Sequence, residues 1–284
     1  MNRPLTPDPS PTRGEGGFDA LATGYDAAFT DTPLGRRLRG RVWDCLERHL
    51  KPSQHVLELG CGTGEDAVWL ARHGIYVTAT DASAIMLEIT RRKAAEANIA
   101  YRVATRQLAI QDIDATSFTV KFDGVLSDFG ALNCVRQFDA LARALGQLVR
   151  PGGWMVLVVM GPWCPWEIIW FLLHGHPRAA LRRLWPGGIE AEVGGRKMHV
   201  IYPAAGRLIR AFAPEFRLLR LWGLGVALPT TDAANLINRR PRLLNLLDRL
   251  ETRLAGVFPF QLLGDHYVLE MERLSTDSGN GSNG

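Results

Sequence analysis

Cysteine is scarce in this 284-residue chain, and its four copies, Cys45, Cys61, Cys134 and Cys164, are scattered. They form no C-x-x-C pair and no cluster with histidine at ligand spacing, which argues against a disulfide framework and a zinc site. No metal is expected, and the thiols read as reduced, in a cytoplasmic protein. Lysine is also rare, 4 residues against 29 arginines, and the net charge is only +4. Codon usage in a GC-rich genome gives such a skew, and so small a charge does not call for a nucleic-acid partner. No apolar run reaches the roughly 18 residues of a membrane-spanning helix. The nearest, Ile168 to Leu173 with tryptophans around it, is too short to cross a bilayer but long enough to touch one. What is present is ordinary globular composition, 46% apolar and 22% charged, which excludes disorder and collagen. A domain of this size hides roughly 75% of the surface of its unfolded chain, so its core needs neither metal nor cross-link.

Residues 1–17 are rich in Pro, Gly, Ser and Thr and lack the apolar stretch of a signal peptide, so disorder is expected there. PLTPDPSPTRGEG within them is similar to the translated form of a bacterial intergenic repeat, which raises the expectation of a natural start near Phe18. The tail, 275–284, is polar and also expected to be disordered. Between them, 18–274 reads as one domain. Leu34, Leu38, Val42, Leu46 and Leu50 recur every four residues, predicting an amphipathic helix within 18–50 that Pro52 stops. Strands are then expected at Val56–Leu59, Tyr76–Thr80, Ala100–Thr105, Gly124–Ser127 and Trp154–Met160. Helices at Glu65–His73, Ala84–Ala97 and Phe138–Val149 alternate with them. This rhythm predicts an α/β fold, a doubly wound, mostly parallel sheet with helices on both faces. After Met160 it breaks, and 161–203 reads as an insertion. Helix Ala204–Phe212, strand Phe216–Trp222, helix Leu243–Ala255 and strand Tyr267–Glu272 complete a sheet of about seven strands.

A glycine-rich turn after a strand is shared by several nucleotide folds. Here VLELGCGTG places Glu58 two residues before Gly60, spaces Gly60, Gly62 and Gly64, and is followed by Asp81 at the end of the next strand. Glycines let a ligand approach the backbone, and Asp81 stands where an acid accepts hydrogen bonds from ribose hydroxyls. An acid at Glu58 repels phosphate and suits a cationic amino group instead. These residues resemble the class I S-adenosylmethionine-dependent methyltransferases, near the ubiquinone and menaquinone methyltransferases, over residues 18–160 and more loosely beyond. The resemblance implies a Rossmann-like fold, S-adenosyl-L-methionine as cofactor, and Glu58, Gly60, Cys61, Gly62, Gly64 and Asp81 around it. D-x-S-x-x-M-L is matched by Asp81, Ser83, Met86 and Leu87, so Ala82 and Met86 should flank the adenine. In LAIQDID, Gln111 takes the place of the family's acid beside that base. SDFGALNCV implies that Asp128 and Phe129 line the reacting end, and GYD nominates Tyr25 on a segment closing over the cofactor.

Ligands of open α/β sheets lie at the carboxyl ends of the strands. If the last strand is antiparallel, as the resemblance implies, its amino end joins that edge, and the insertion, which leaves the sheet at Met160, should form a helical lid over the acceptor. Its WCPWEIIW packs three tryptophans into eight residues, followed by Arg178, Arg182 and Arg183. Two readings stand together: a lid packed on the core with solvated arginines, or a surface for a lipophilic acceptor or a membrane. His266 is the first candidate for a base, with Asp265 to orient its ring. The expected activity is methyl transfer to a small, apolar or lipid-like acceptor. The alternative is a cofactor-binding protein that has lost its chemistry.

Overall fold

The computed structural model describes residue 22 and residues 24–193 and 196–275. The expectations for 1–17, the start near Phe18 and most of the polar tail lie outside the described residues. The run expected as one helix is divided. A single π-helical turn, Asp26–Thr30, comes first, and helix α1 covers Pro33–Glu47. Thr32 causes the break: its hydroxyl accepts from the Gly35 N–H at 2.9 Å, while Pro33 occupies the first helical position, where no N–H is needed. Leu34, Leu38, Val42 and Leu46 form the buried stripe their spacing predicts.

The alternation follows as β1 (His55–Leu59), α2 (Glu65–Arg72), β2 (Tyr76–Asp81), α3 (Ala84–Glu96), β3 (Val103–Gln107), β4 (Phe122–Ser127), α4 (Phe138–Leu148) and β5 (Val149–Met160). Strand β3 starts later than expected because Ala100–Arg102 closes a 3-10 turn. Strand β5 starts earlier, and a register shift against β4 between Phe122 and Gly124 absorbs the Pro-Gly-Gly. The 161–203 segment holds helices α5 (Pro165–Leu173) and α6 (Pro177–Ala180), then an antiparallel hairpin of β6 (Ile189–Val193) and β7 (Arg196–Val200). That hairpin was not expected, although Ile-Glu-Ala-Glu-Val before Gly-Gly carries its alternation and turn signal. Helix α7 (Ala205–Phe212), β8 (Phe216–Leu224), α8 (Ala234–Asn238), α9 (Pro241–Leu254) and β9 (His266–Arg273) finish the chain.

The seven-stranded sheet has the order β3-β2-β1-β4-β5-β9-β8, with the first five parallel and the last two antiparallel to their neighbours. Residues Trp154 to Met160 are all buried, as a central strand covered on both faces requires. The strand order reverses between β1 and β4, which opens a crevice beyond their carboxyl ends. Because β9 is antiparallel, its first residue, His266, pairs with Met160 at the same edge. Asn133 ties the 161–203 segment there: its Nδ2 donates to the carbonyls of Met160 (2.9 Å) and Ile201 (2.6 Å), and its Oδ1 accepts from the Met160 N–H (3.0 Å).

Candidate functional site

The turn after β1 is held by backbone geometry that only glycine adopts without strain. Gly60, Gly62 and Gly64 all have positive φ, and a Cβ on Gly64 would meet the Thr90 side chain at 2.4 Å. The N–H groups of Gly60 and Cys61 both donate to the Thr80 carbonyl, at 2.8 and 2.9 Å. Asp81 is buried, its two oxygens accepting from the Gly62 and Ser83 N–H groups at 2.9 Å each. Ser83 caps α3 through the Met86 N–H, 3.1 Å away, which fixes Met86 against the turn. A narrow slot beside them is lined by Gly60, Asp81, Ala82, Gln111 and Ala131, so the predicted adenine residues Ala82 and Gln111 come together. Burial pushes the Cys61 thiol far above its usual range, so it stays protonated and inert.

A charged cluster lies under the turn. Glu58 is 1% exposed and neither carboxylate oxygen has a hydrogen-bond partner. Burial, with the negative charges of Asp66 and Asp128 nearby, lifts it well above the carboxylate range. Asp128 is likewise raised, by burial and then by Asp66. Burial works to raise Asp66, but the Arg39 charge together with hydrogen bonds, among them one from the Trp43 indole N–H at 2.6 Å, holds it low. Arg39, itself buried, pairs with Asp66 and with Asp128 at 3.3 Å, and its guanidinium lies 4.7 Å from the centre of the Phe129 ring. Nothing in the motif marks Arg39 or Asp66. The signal available was a buried-face position on α1, beside Leu38, carrying a charge. Three carboxylates and one guanidinium leave this pocket short of positive charge.

Tyr25 is half-buried, edge-on to Phe29 at 6.4 Å, and Phe29 is edge-on to Phe129 at 4.9 Å. The same segment is moored to the glycine turn: Asp26 accepts from the Thr63 hydroxyl at 2.7 Å and pairs with Lys93 at 2.7 Å. Phe129, at positive φ, also meets the His266 ring edge-on at 5.7 Å. Asp128, Phe129, Tyr25 and His266 are thus gathered at one edge.

Asp265 stands beside His266 and takes a second partner as well. His266 Nδ1 lies 3.4 Å from Asp265 Oδ2, within ion-pair distance, and Arg183 grips the other carboxylate oxygen at 2.6 Å. The pairing with His266, and then with Arg183, holds Asp265 low despite burial. Arg182 and Arg183 are not solvated, a departure from the expectation of a lid with solvated arginines: both clamp Glu167, which is buried on α5. The outer face of α5 is apolar, with Ile169 55%, Leu172 52% and Leu173 79% exposed. Trp166 is half-buried and donates through its indole N–H to the Ala227 carbonyl at 3.1 Å. Burial pushes the Cys164 thiol up to about 12.

The reading that no cysteine and histidine stand at ligand spacing is also corrected. Cys45 and His49, four apart at the end of α1, converge with Glu270, their ligand atoms all within 4.8 Å. Glu270 is engaged there by Arg48 at 3.1 Å, Trp222 at 2.8 Å and His49 at 3.0 Å, an ion-pair network that opposes a cation.

Among the described residues, buried side-chain polar atoms without a partner occur on Thr30, Arg39, Arg41, Glu58, Gln111, Trp154, Thr230, Asp232 and His266, and those of Arg39, Glu58, Gln111 and His266 gather around this edge. Buried polar groups in folded proteins are normally paired, so this concentration marks where a ligand belongs. The orphaned carboxyl of Glu58 fits a cationic amino group, which would stabilise its ionised form, Asp81 fits ribose hydroxyls, and the buried amide of Gln111 fits the polar edge of a base. The residues present therefore suit a sulfonium nucleoside carrying an amino acid.

Residues 56–153 match the family described as methyltransferase domain. The chain is 30% identical over 145 residues to a demethylmenaquinone methyltransferase of Lactiplantibacillus plantarum, covering 50% of this chain and 60% of that one. It is 37% identical over 102 residues to a ubiquinone biosynthesis O-methyltransferase of Methylocella silvestris, covering 35% and 37%. The chain thus spans less than two thirds of each of these relatives. Among solved structures, the CcbJ methyltransferase from Streptomyces caelestis superposes with a TM-score of 0.58 at 17% identity, over 92% of this chain and 99% of that one.

Proposed function

We propose that this chain, which carries a class I S-adenosylmethionine-dependent methyltransferase domain, moves a methyl group from that cofactor to a small apolar acceptor. The observation that carries this reading is Glu58, a fully buried carboxylate with no partner in a pocket short of positive charge. Glu58 would hold the amino group, Asp81 the ribose hydroxyls, and Ala82, Met86 and Gln111 the adenine. Gly60, Cys61, Gly62 and Gly64 give the backbone room to approach. When bound, the cofactor supplies a methyl group already activated on sulfur, so the protein's task is alignment and exclusion of water. Phe29, Phe129 and Tyr25 wall the reacting end with aromatic surface, and Arg39 fixes Asp128 and Asp66 around it. His266 faces the acceptor side from beside Phe129.

Two observations favour a lipid-like acceptor. The relatives named above act, by their names, on demethylmenaquinone and in ubiquinone biosynthesis. The apolar outer face of α5, with Trp163 and Trp185 also exposed and Arg178 beside it, suits an anionic lipid surface on which such a molecule resides. No helix among the described residues is long and apolar enough to cross a membrane. Incubation with methyl-labelled cofactor and a bacterial lipid extract tests the reading. A labelled apolar product is expected. Cofactor binding without any labelled product from lipid or polar extracts would favour the non-catalytic alternative.

A further inference from the structure

Glu58 and Gln111 account for the cofactor half of the unpartnered edge. The other half has its own set. Thr230 is 1% exposed with its hydroxyl unpaired, Asp232 is 9% exposed with Oδ2 unpaired, and His266 is 7% exposed, its Nδ1 without a hydrogen bond and 3.4 Å from Asp265 Oδ2. They lie on the turn that follows β8 and at the start of β9, strands that pair at this edge through Leu224 and His266. The turn is fixed from several sides, which keeps these atoms in place. Glu251 on α9 accepts from the N–H groups of Gly225 (2.8 Å), Ala227 (2.7 Å) and Leu228 (3.0 Å). The Asp265 N–H donates to the Gly225 carbonyl at 3.1 Å, and Trp166 reaches the Ala227 carbonyl from α5. Leu34, at the start of α1, donates its N–H to Asn238 Oδ1 on α8 at 3.0 Å.

The charges around Asp232 are already matched without it. Arg182 and Arg183 are both bound to Glu167, and Arg183 also to Asp265, so neither turns to Asp232 for a partner. Asp232 Oδ2 and the Thr230 hydroxyl are therefore buried polar atoms left over beside a completed ion-pair network, and buried polar atoms are normally paired, so a ligand group is the partner they lack.

We propose that Asp232, with Thr230 beside it, is the head-group site of the methyl acceptor, and that the acceptor is an apolar molecule bearing a hydroxyl whose hydrogen Asp232 Oδ2 receives. This rests on the reading of the chain as a methyltransferase and deepens it by naming the group recognised. Burial lifts Asp232 to about 6, with Glu167 and Asp265 adding to the lift and Arg182 and Arg183 opposing it. An ionised carboxylate is thus present above about pH 6 and lost below.

The test compares 2-naphthol with its methyl ether, binding to the full chain saturated with S-adenosylhomocysteine. Saturation is checked first by calorimetry, so failure of the cofactor reading is seen separately. Hydrogen bonds to charged groups predict that the naphthol binds roughly 10-fold more tightly than the ether at pH 7.5. The preference should shrink to about twofold or less at pH 5 by the same reasoning. In Asp232→Ala it should vanish while the ether's affinity is retained, and Asp232→Asn should keep part of it without the pH dependence. Equal binding of the two probes to the wild type, a preference unchanged in Asp232→Ala, or binding of neither probe to the saturated protein would overturn the proposal.

Discussion

Replacing Glu58 with Gln changes one charge in a site where almost nothing else moves. In the unliganded protein the carboxylate is buried without a hydrogen bond, and its pKa lies well above the carboxylate range. An acid whose folded pKa is raised binds its proton more tightly when folded, so it costs nothing below its unfolded value near 4.3, destabilises increasingly as pH rises from there towards the folded pKa, and levels off above it. Glu58→Gln should accordingly raise the thermal midpoint of the unliganded protein at pH 8 and leave it nearly unchanged at pH 4.5. For the cofactor the sign is opposite. A charge-assisted hydrogen bond contributes about 1.5–3 kcal/mol, so the substitution should weaken S-adenosylmethionine binding roughly 10- to 150-fold. Differential scanning fluorimetry across pH, with and without cofactor, reads both effects on one sample. A variant that binds cofactor as tightly as wild type, or one no more stable at pH 8, would refute the assignment of Glu58 to the amino group.

Arg39→Met should be strongly destabilising, by about 3–5 kcal/mol, because it strands Asp66 and Asp128 without their cation; urea unfolding at pH 7.5 measures it. Gly64→Ala combines a positive φ with a contact at 2.4 Å to Thr90, so it should lower stability by about 1–3 kcal/mol and displace the turn, seen as weaker cofactor binding in calorimetry. Ile169→Ser with Leu173→Ser should abolish co-sedimentation with anionic vesicles and leave cofactor affinity within about twofold, since both side chains are exposed and make no contact with the cofactor turn. Equal loss of cofactor binding would place that helix face in the fold's interior working parts.

The order of strands and helices was legible because each strand is a short apolar run closed by a turn residue and each helix repeats at its own period, as in Val56–Leu59 running into Gly60. The glycine turn was legible for a related reason: its positive φ angles demand glycine at fixed places, and Glu58 and Asp81 stand at fixed distances from them. What the sequence hid depends on partners far apart in the chain. Arg39 meets Asp66 and Asp128 only because α1 packs over the glycine turn. Arg182 and Arg183 look like a solvated basic run until Glu167, buried on an otherwise apolar helix, takes both. Asp265 is adjacent to His266 in sequence, and its second partner, Arg183, stands 82 positions away. The division of the first helix was a local matter that Thr32 and Pro33 announced, and the four-residue recurrence of leucine masked it.

Calorimetric titration of the full chain with S-adenosylmethionine bears most directly on the central claim. One site with micromolar affinity is expected for the wild type, and Asp81→Asn should weaken it by roughly 10-fold or more through the lost charge. No heat of binding with the folded wild-type protein, or equal affinity in Asp81→Asn, would contradict the account.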